Sequence, residues 1–257
     1  MKIVAVIPAH LASVRFPRKI LFPFHGLPMI EHVRRRALLS PAIDDVVVAT
    51  CDDEIAEVVR GFGGNVIMTA NTHTNGTTRI AEAAEKLDCT HVMLLQGDEP
   101  LLLPRHLNEL AEAIGNNPSG DAWNATGPIE NEDELDRHSF VKCAVSKMKN
   151  IMYCFRRSPC FSEFDAQKRF VRKILGIIAY RKDFLMHLTS LEPAEIEKAE
   201  FIEQMRIIEN GFNLQSVEVS PSLPSVNEPA EADLVLEYIM GSPEQKELLD
   251  SILGKSL

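Results

Sequence analysis

Arg15, Arg18 and Lys19 fall within five positions of one loop, Pro8-Ala9-His10-Leu11-Ala12-Ser13-Val14-Arg15-Phe16-Pro17-Arg18-Lys19. Two guanidinium groups and an ammonium in such proximity suit the oxygens of a phosphate chain. The small residues Ala9, Ala12 and Ser13 would let backbone amides approach the same anion, so the loop could cradle a triphosphate. It reads equally well as a solvated loop whose charges cap a helix. A second segment, Gln96-Gly97-Asp98-Glu99-Pro100, puts a carboxylate directly after an apolar run. Such a carboxylate can hold a hard divalent cation against phosphate oxygens, and Mg²⁺ takes only one or two of them. Read alone, Asp98 favours a turn or a helix N-cap. A third segment, Thr74-Asn75-Gly76-Thr77-Thr78-Arg79, offers donors to a base or ribose, or else a helix cap.

The elements that must position these loops alternate along the chain. Lys2–Ile7 is a short β-branched run, the mark of a buried strand. Met29, Ile30, Val33, Ala37 and Leu38 recur at helical spacing behind Pro28 and predict a helix over 28–39. Val46-Val47-Val48 predicts a strand over 45–50. Asp52 and Asp53 offer a cap and a negative first turn to a helix around 54–60, and Gly63-Gly64 read as its C-cap. A strand over 65–68, a helix over 79–87 and a strand over 91–95 follow. This rhythm predicts an α/β fold, an open parallel sheet with helices on both faces. Ligands in such sheets bind beyond the strands' carboxyl ends near a topological switch point, which singles out loops 8–19 and 96–100.

Regular structure weakens over 115–138, a stretch rich in Gly, Asn, Asp, Glu and Pro. Strands predicted over 141–146, 151–155 and 173–180 make the middle of the chain a more antiparallel insertion. Helices around 182–189 and 194–210, a strand over 214–219 and a helix from Pro229 to near the end complete the reading.

Composition narrows the function classes. The 257 residues are 45% hydrophobic and 25% charged, as in globular domains, which excludes disorder and collagen-like repeats. The net charge of −10 argues against a nucleic-acid partner. No apolar run approaches the ~18 residues of a membrane span. Ile3–Ile7 is shorter than the roughly 7–15 apolar residues of a signal sequence, so a cytoplasmic location is expected. Cys51, Cys89, Cys143, Cys154 and Cys160 are scattered and form no C-x-x-C pair, so reduced, mostly buried thiols are expected. Neither G-x-x-x-x-G-K-[ST] nor G-x-G-x-x-G follows the first strand.

Taken in order, I-P-A-x-x-x-S-x-R-F-P-x-K over 7–19, H-x-x-G-T-x-R over 73–79 and Q-G-D-E-P over 96–100 resemble the sugar-acid cytidylyltransferases, most of all the 3-deoxy-manno-octulosonate (Kdo) branch. Gly26-Leu27-Pro28-Met29-Ile30, Val47-Val48-Ala49-Thr50, Gly176–Arg181 and Glu203-Gln204-Met205-Arg206 fit the same pattern. The resemblance implies a Rossmann-like nucleotidyltransferase fold with a mixed, mostly parallel sheet. It implies a single domain over 1–257 whose middle subdomain, about 128–190, contributes sugar binding and dimerisation. The implied reaction joins CTP to a 2-keto sugar acid, giving the CMP-sugar and pyrophosphate for cell-surface lipopolysaccharide synthesis.

By motif match, Arg15, Lys19 and Asp98 would be the catalytic residues, with Arg15 and Lys19 on the triphosphate. Ala9, His10, Ser13, Gly76, Arg79 and Gln96 would complete the CTP site. Asp98 and Asn227 would face Mg²⁺, and Arg156, Tyr180, Glu203 and Gln204 would lie near the acidic sugar. A homodimer is implied as well. The chain departs from the family pattern at several of these places. His10 stands where the family has Arg, and Asn227 where it has an Asp metal ligand. Asn75, Thr78, Phe155, Ile174 and Ile178 are also altered. These changes leave room for another acceptor (an amino-Kdo, a nonulosonic acid, a phosphonate) or for a nucleotide-binding protein without catalysis.

Overall fold

The computed structural model describes residues 1–254; the last three positions of the expected 1–257 domain lie outside the described residues. In chain order the elements are β1 (Ile3–Ala9), a 3₁₀ turn (Lys19–Leu21), the hairpin strands β2 (Pro23–Phe24) and β3 (Leu27–Pro28), α1 (Met29–Ala37), β4 (Asp45–Thr50), α2 (Asp53–Gly61), β5 (Asn65–Met68), α3 (Gly76–Glu85), β6 (His91–Leu95) and α4 (Pro104–Asn116). Next come β7 (Ala122–Pro128), α5 (Asp133–Asp136), β8 (Lys142–Val145), β9 (Ile151–Phe155), α6 (Phe164–Gln167), β10 (Val171–Arg181), α7 (Lys182–Ser190), α8 (Glu195–Glu200), α9 (Gln204–Glu209) and β11 (Leu214–Glu218). α10 (Pro229–Gly241) and α11 (Pro243–Ile252) close the described chain. No helix among the described residues is long and apolar enough to cross a membrane.

Two compact units divide the chain: Lys2–Asn108 with the residues from Leu223 onward, and Glu109–Ser222. In the first, β1 pairs in parallel with β4 and β6, and β4 with β5. The strands thus run in the order β6-β1-β4-β5. The near-continuous apolar runs of β1, β4 and β6 are buried, as a parallel layer covered on both faces requires, while β5 at the edge is partly exposed. The carboxyl-terminal helices belong to this unit: Val226, Val235, Ile239, Leu249 and Ile252 share a core cluster with Phe24, Leu27 and Met29.

In the second unit β10 pairs antiparallel with β7 and β8, β8 antiparallel with β9, and β11 parallel with β7. The mixed sheet and the antiparallel middle therefore match the expectation. The irregular reading of 115–138 does not hold, because β7 lies inside it. Its pattern is masked by buried polar residues: Asn124 Nδ2 donates to the carbonyls of Leu175 and Ile177, and the Thr126 and Ser216 hydroxyls meet at 2.7 Å. The single helix expected over 194–210 is two helices. Phe201, at φ 55° in the left-handed region, ends the first, and Arg206 ties them together through both carboxylate oxygens of Glu197. The final helix is likewise broken at Pro243, where Ser242 Oγ caps Gln245 N.

The cysteine expectation needs one correction. All five are free thiols, but only Cys143 and Cys154 are fully buried; Cys51, Cys89 and Cys160 are half-buried.

One buried group gives the first unit an acid limit. His32 on α1 lies within 2.8 Å of the Phe24 carbonyl through Nε2. Burial pushes its imidazole down to about 4, against about 6.5 in the unfolded chain. Between these values the unfolded chain takes up a proton that the folded chain refuses. This contribution is therefore intact above the unfolded value and is lost as pH falls toward 4, by about 3 kcal/mol. Thermal melts from pH 7 to 4 should fall more steeply for the unaltered chain than for His32→Gln. Equal slopes would remove His32 as the cause.

Candidate functional site

β4 and β5 lie to one side of β1 and β6 lies to the other, so the strand progression reverses between β1 and β6. A cleft opens beyond the carboxyl ends of strands at such a switch point. A cavity of about 480 Å³ is found there, within the first unit. Its lining includes Ala9, His10, Ser13, Lys19, Gly76, Arg79, Gln96 and Asp98. Three stretches far apart in sequence therefore converge on one pocket. Two glycines let them approach closely. A Cβ on Gly76 would stand 3.2 Å from Pro8 Cγ, and one on Gly97 would stand 2.9 Å from Ile20 Cδ1.

The three cations of the first loop divide. Lys19 Nζ lies 2.5 Å from Asp98 Oδ2 and donates to the Val226 carbonyl at 3.2 Å. Val226 N in turn donates to the Asp98 carbonyl at 2.9 Å. Because Val226 is anchored in the apolar cluster, it holds the segment 225–228 against Asp98. Arg15 is half exposed and reaches that segment: Nη2 donates to Asn227 Oδ1 at 3.3 Å, and Nη1 is 3.8 Å from Glu228 Oε1. Arg15 and Asn227 are absent from the cavity lining. Arg18 forms an ion pair with Glu54 on α2.

The local readings of two acidic residues are decided here. Asp98 sits in a turn, one of its two local readings, and is an ion-pair partner in the pocket wall, not a helix cap. Asp52 stands at the N-cap position of α2 without capping it; its Oδ2 accepts from Leu11 N at 2.9 Å and ties down the phosphate-type loop. The cap readings that do hold are Asn75, whose Oδ1 accepts from Thr78 N at 2.9 Å, and Gly63, which follows α2 at φ 76°.

Electrostatically the pocket is mixed. Partial burial, then the Arg79 guanidinium, pushes the His10 imidazole down, while Asp52 pulls the other way. His10 thus enters neutral pH uncharged and adds no positive charge beside Lys19. Arg79 is buried on α3, and its Nη1 donates to Thr69 Oγ1 at 2.8 Å and to the Ala70 carbonyl at 3.3 Å. Part of its hydrogen-bonding capacity therefore holds the pocket wall.

The cavity also takes in Thr74, part of the segment read as offering donors, and Cys51, Asp52, Asn71 and His73, which sequence reasoning did not single out as ligands. His73 carried a signal, since it opens the H-x-x-G-T-x-R pattern. Asn71 carried none.

Arg156, Tyr180, Glu203 and Gln204 all belong to the second unit. Arg156 Nε donates to the Glu200 carbonyl at 3.0 Å, Nη2 to Phe201 and Nη1 to His138, both at 3.2 Å. Gln204 Nε2 donates to Asn124 Oδ1 at 3.1 Å. Tyr180 is buried on β10, and Glu203 is the residue before α9.

A family model described as cytidylyltransferase matches residues 4–218. The chain belongs to the cytidylyltransferase family. The reaction class is nucleotidyl transfer from CTP. Curated relatives match it over most of its length. The 3-deoxy-manno-octulosonate cytidylyltransferase of Chlorobium limicola is 40% identical over 94% of this chain and 99% of its own. That of Geobacter metallireducens is 36% identical over 93% and 98%, and that of Escherichia coli 37% over 89% and 92%. A solved structure of CMP:2-keto-3-deoxy-manno-octonic acid synthetase complexed with CTP matches this cytidylyltransferase with a TM-score of 0.88 at 35% identity, covering 94% of this chain and 99% of that one. A cytidylyltransferase from Leptospira borgpetersenii, 16% identical over 99% of this chain and 94% of its own with a TM-score of 0.66, shares the fold.

Proposed function

We propose that this enzyme transfers CMP from CTP to a 2-keto-3-deoxy sugar acid, Kdo or a related ulosonic acid, for cell-surface polysaccharide synthesis. The observation that carries the reading is the switch-point cavity, where Lys19 and Asp98 meet beside Gly76, Arg79 and Gln96. The named relatives supply the acceptor. The sugar's anomeric hydroxyl oxygen bonds to the α-phosphorus as its proton passes to solvent, the bond from that phosphorus to the bridging oxygen breaks, and pyrophosphate leaves with the electron pair. Such transfers need mainly positioning and charge stabilisation. Lys19 and Arg15 serve the triphosphate. Ala9, Gly76, Arg79 and Gln96 serve the cytidine, and His10 and Ser13 complete the CTP site. Arg156, Tyr180, Glu203 and Gln204 are assigned to the sugar acid.

Mg²⁺ fits this donor set. No group of three or more His, Cys, Asp or Glu that could hold a metal ion lies among the described residues, but Mg²⁺ bound through phosphates takes only one or two protein carboxylates. Asp98 would hold it, and Asn227 would offer an amide oxygen, now accepting from Arg15. When bound, the ion supplies charge neutralisation at the phosphate oxygens. The stretch about 128–190 is assigned to sugar binding and to a homodimer, and the enzyme to the cytoplasm.

The test is pyrophosphate release from CTP and Mg²⁺ with a panel of ulosonic, nonulosonic and amino-sugar acids. Turnover with Kdo or a close relative is expected. CTP binding without turnover on any acid would favour the non-catalytic reading that His10 and Asn227 raise. In the same assay Asn227→Asp should lower the Mg²⁺ concentration needed for half-maximal rate, because it restores a negative charge. An unchanged metal titration would make Asn227 irrelevant to the metal.

A further inference from the structure

The wall of the nucleotide cavity between β5 and α3 is clamped by one face of α3. Arg79 holds Thr69 and Ala70 as described above. Glu82, one turn further along α3, uses a single oxygen, Oε2, to accept from Ala70 N at 2.9 Å and to meet His73 Nε2 at 2.5 Å. Both partners are within the segment that supplies Asn71, His73, Thr74 and Asn75 to the cavity; Glu82 itself does not line it. An ionised carboxylate only accepts hydrogen bonds, and the His73 and Ala70 bonds lower the Glu82 carboxyl below its usual range. The hydrogen shared with Glu82 is therefore on His73 Nε2. In the ring tautomer that this bond selects, Nδ1 is a bare acceptor.

We infer that Glu82 is a positioning residue of the nucleotide pocket. Through Ala70 it fixes the 70–75 wall, and through His73 it sets a ring tautomer that offers an acceptor to a hydrogen-bond donor on the nucleoside. This inference rests on the CTP reading of the cavity and deepens it. The donor is either the exocyclic amine of the base or a ribose hydroxyl. CTP, UTP and 2′-deoxy-CTP separate these sources.

Titration calorimetry and steady-state kinetics on the full chain test the inference. Glu82→Ala should weaken CTP binding about tenfold, the scale of one or two lost hydrogen bonds. The rate at saturating CTP should stay within about twofold, because the wall positions the nucleotide and not the reacting phosphate. Glu82→Gln keeps one oxygen able to accept from both partners and should restore most of the affinity. If the amine is the donor, the preference for CTP over UTP collapses in Glu82→Ala. If the 2′-hydroxyl is the donor, the preference over 2′-deoxy-CTP collapses instead. Unchanged CTP affinity in Glu82→Ala overturns the inference. So does a loss of rate and affinity together with a lowered melting temperature, the mark of a purely structural role. Failure of the unaltered chain to bind CTP would overturn the cavity's assignment, and this inference with it.

Discussion

Asp98→Asn is expected to lower kcat/KM for CTP by about 10²–10³-fold, the scale of losing one preorganised electrostatic contact, here the carboxylate proposed to hold the cation that neutralises the phosphates. The substitution keeps shape and leaves an amide oxygen that can still accept from Lys19 Nζ, so the melting temperature should move little. What it removes is the negative charge proposed to hold Mg²⁺ against the phosphates. Apolar packing of β6 and of Val226 fixes this position, and neither depends on the carboxylate. Pyrophosphate release and a thermal melt on the same sample check the expectation. An active, well-folded Asp98→Asn enzyme would take Asp98 out of the mechanism.

Lys19→Met is expected to have an effect of similar size by the complementary route. Its ammonium bridges Asp98 and the Val226 carbonyl at the cavity edge, with 15% of the side chain exposed. Met keeps the length and apolar stem but supplies no charge. The predicted loss is about 10²-fold or more in kcat/KM, with a higher KM for CTP, since the ammonium would bind the triphosphate in both ground and transition states. The pair acts as one unit, so Lys19→Met combined with Asp98→Asn should cost much less than the product of the single losses. Multiplying losses, measured as single-turnover rates, would show that the two side chains work independently.

The α/β character of the first hundred residues was legible because strands buried on both faces are written as near-continuous apolar runs, and Ile3–Ile7, Val46–Val48 and Val92–Leu95 are such runs. The three loop motifs were legible only together: each alone read as well as a solvated loop, a turn or a cap, and their order along the chain carried the resemblance. β7 was not legible, because Asn124 and Thr126 find their partners on β10 and β11, far along the chain. The break at Phe201 was equally hidden, since a left-handed backbone at an aromatic residue has no compositional mark.

The sequence alone therefore determined the class of protein, the order of its main strands and the residue types that meet a nucleotide. Only the tertiary structure decided their roles. It separated Arg18 from Lys19, gave Asp52 to the loop instead of its helix, and joined Lys19 to Asp98 and Glu82 to His73. These outcomes depend on which groups lie within about three ångströms of one another, and chain neighbours do not settle that when the partners stand from 9 to 79 residues apart. Periodicity encodes which face of an element is buried; it does not encode which polar partner awaits it there.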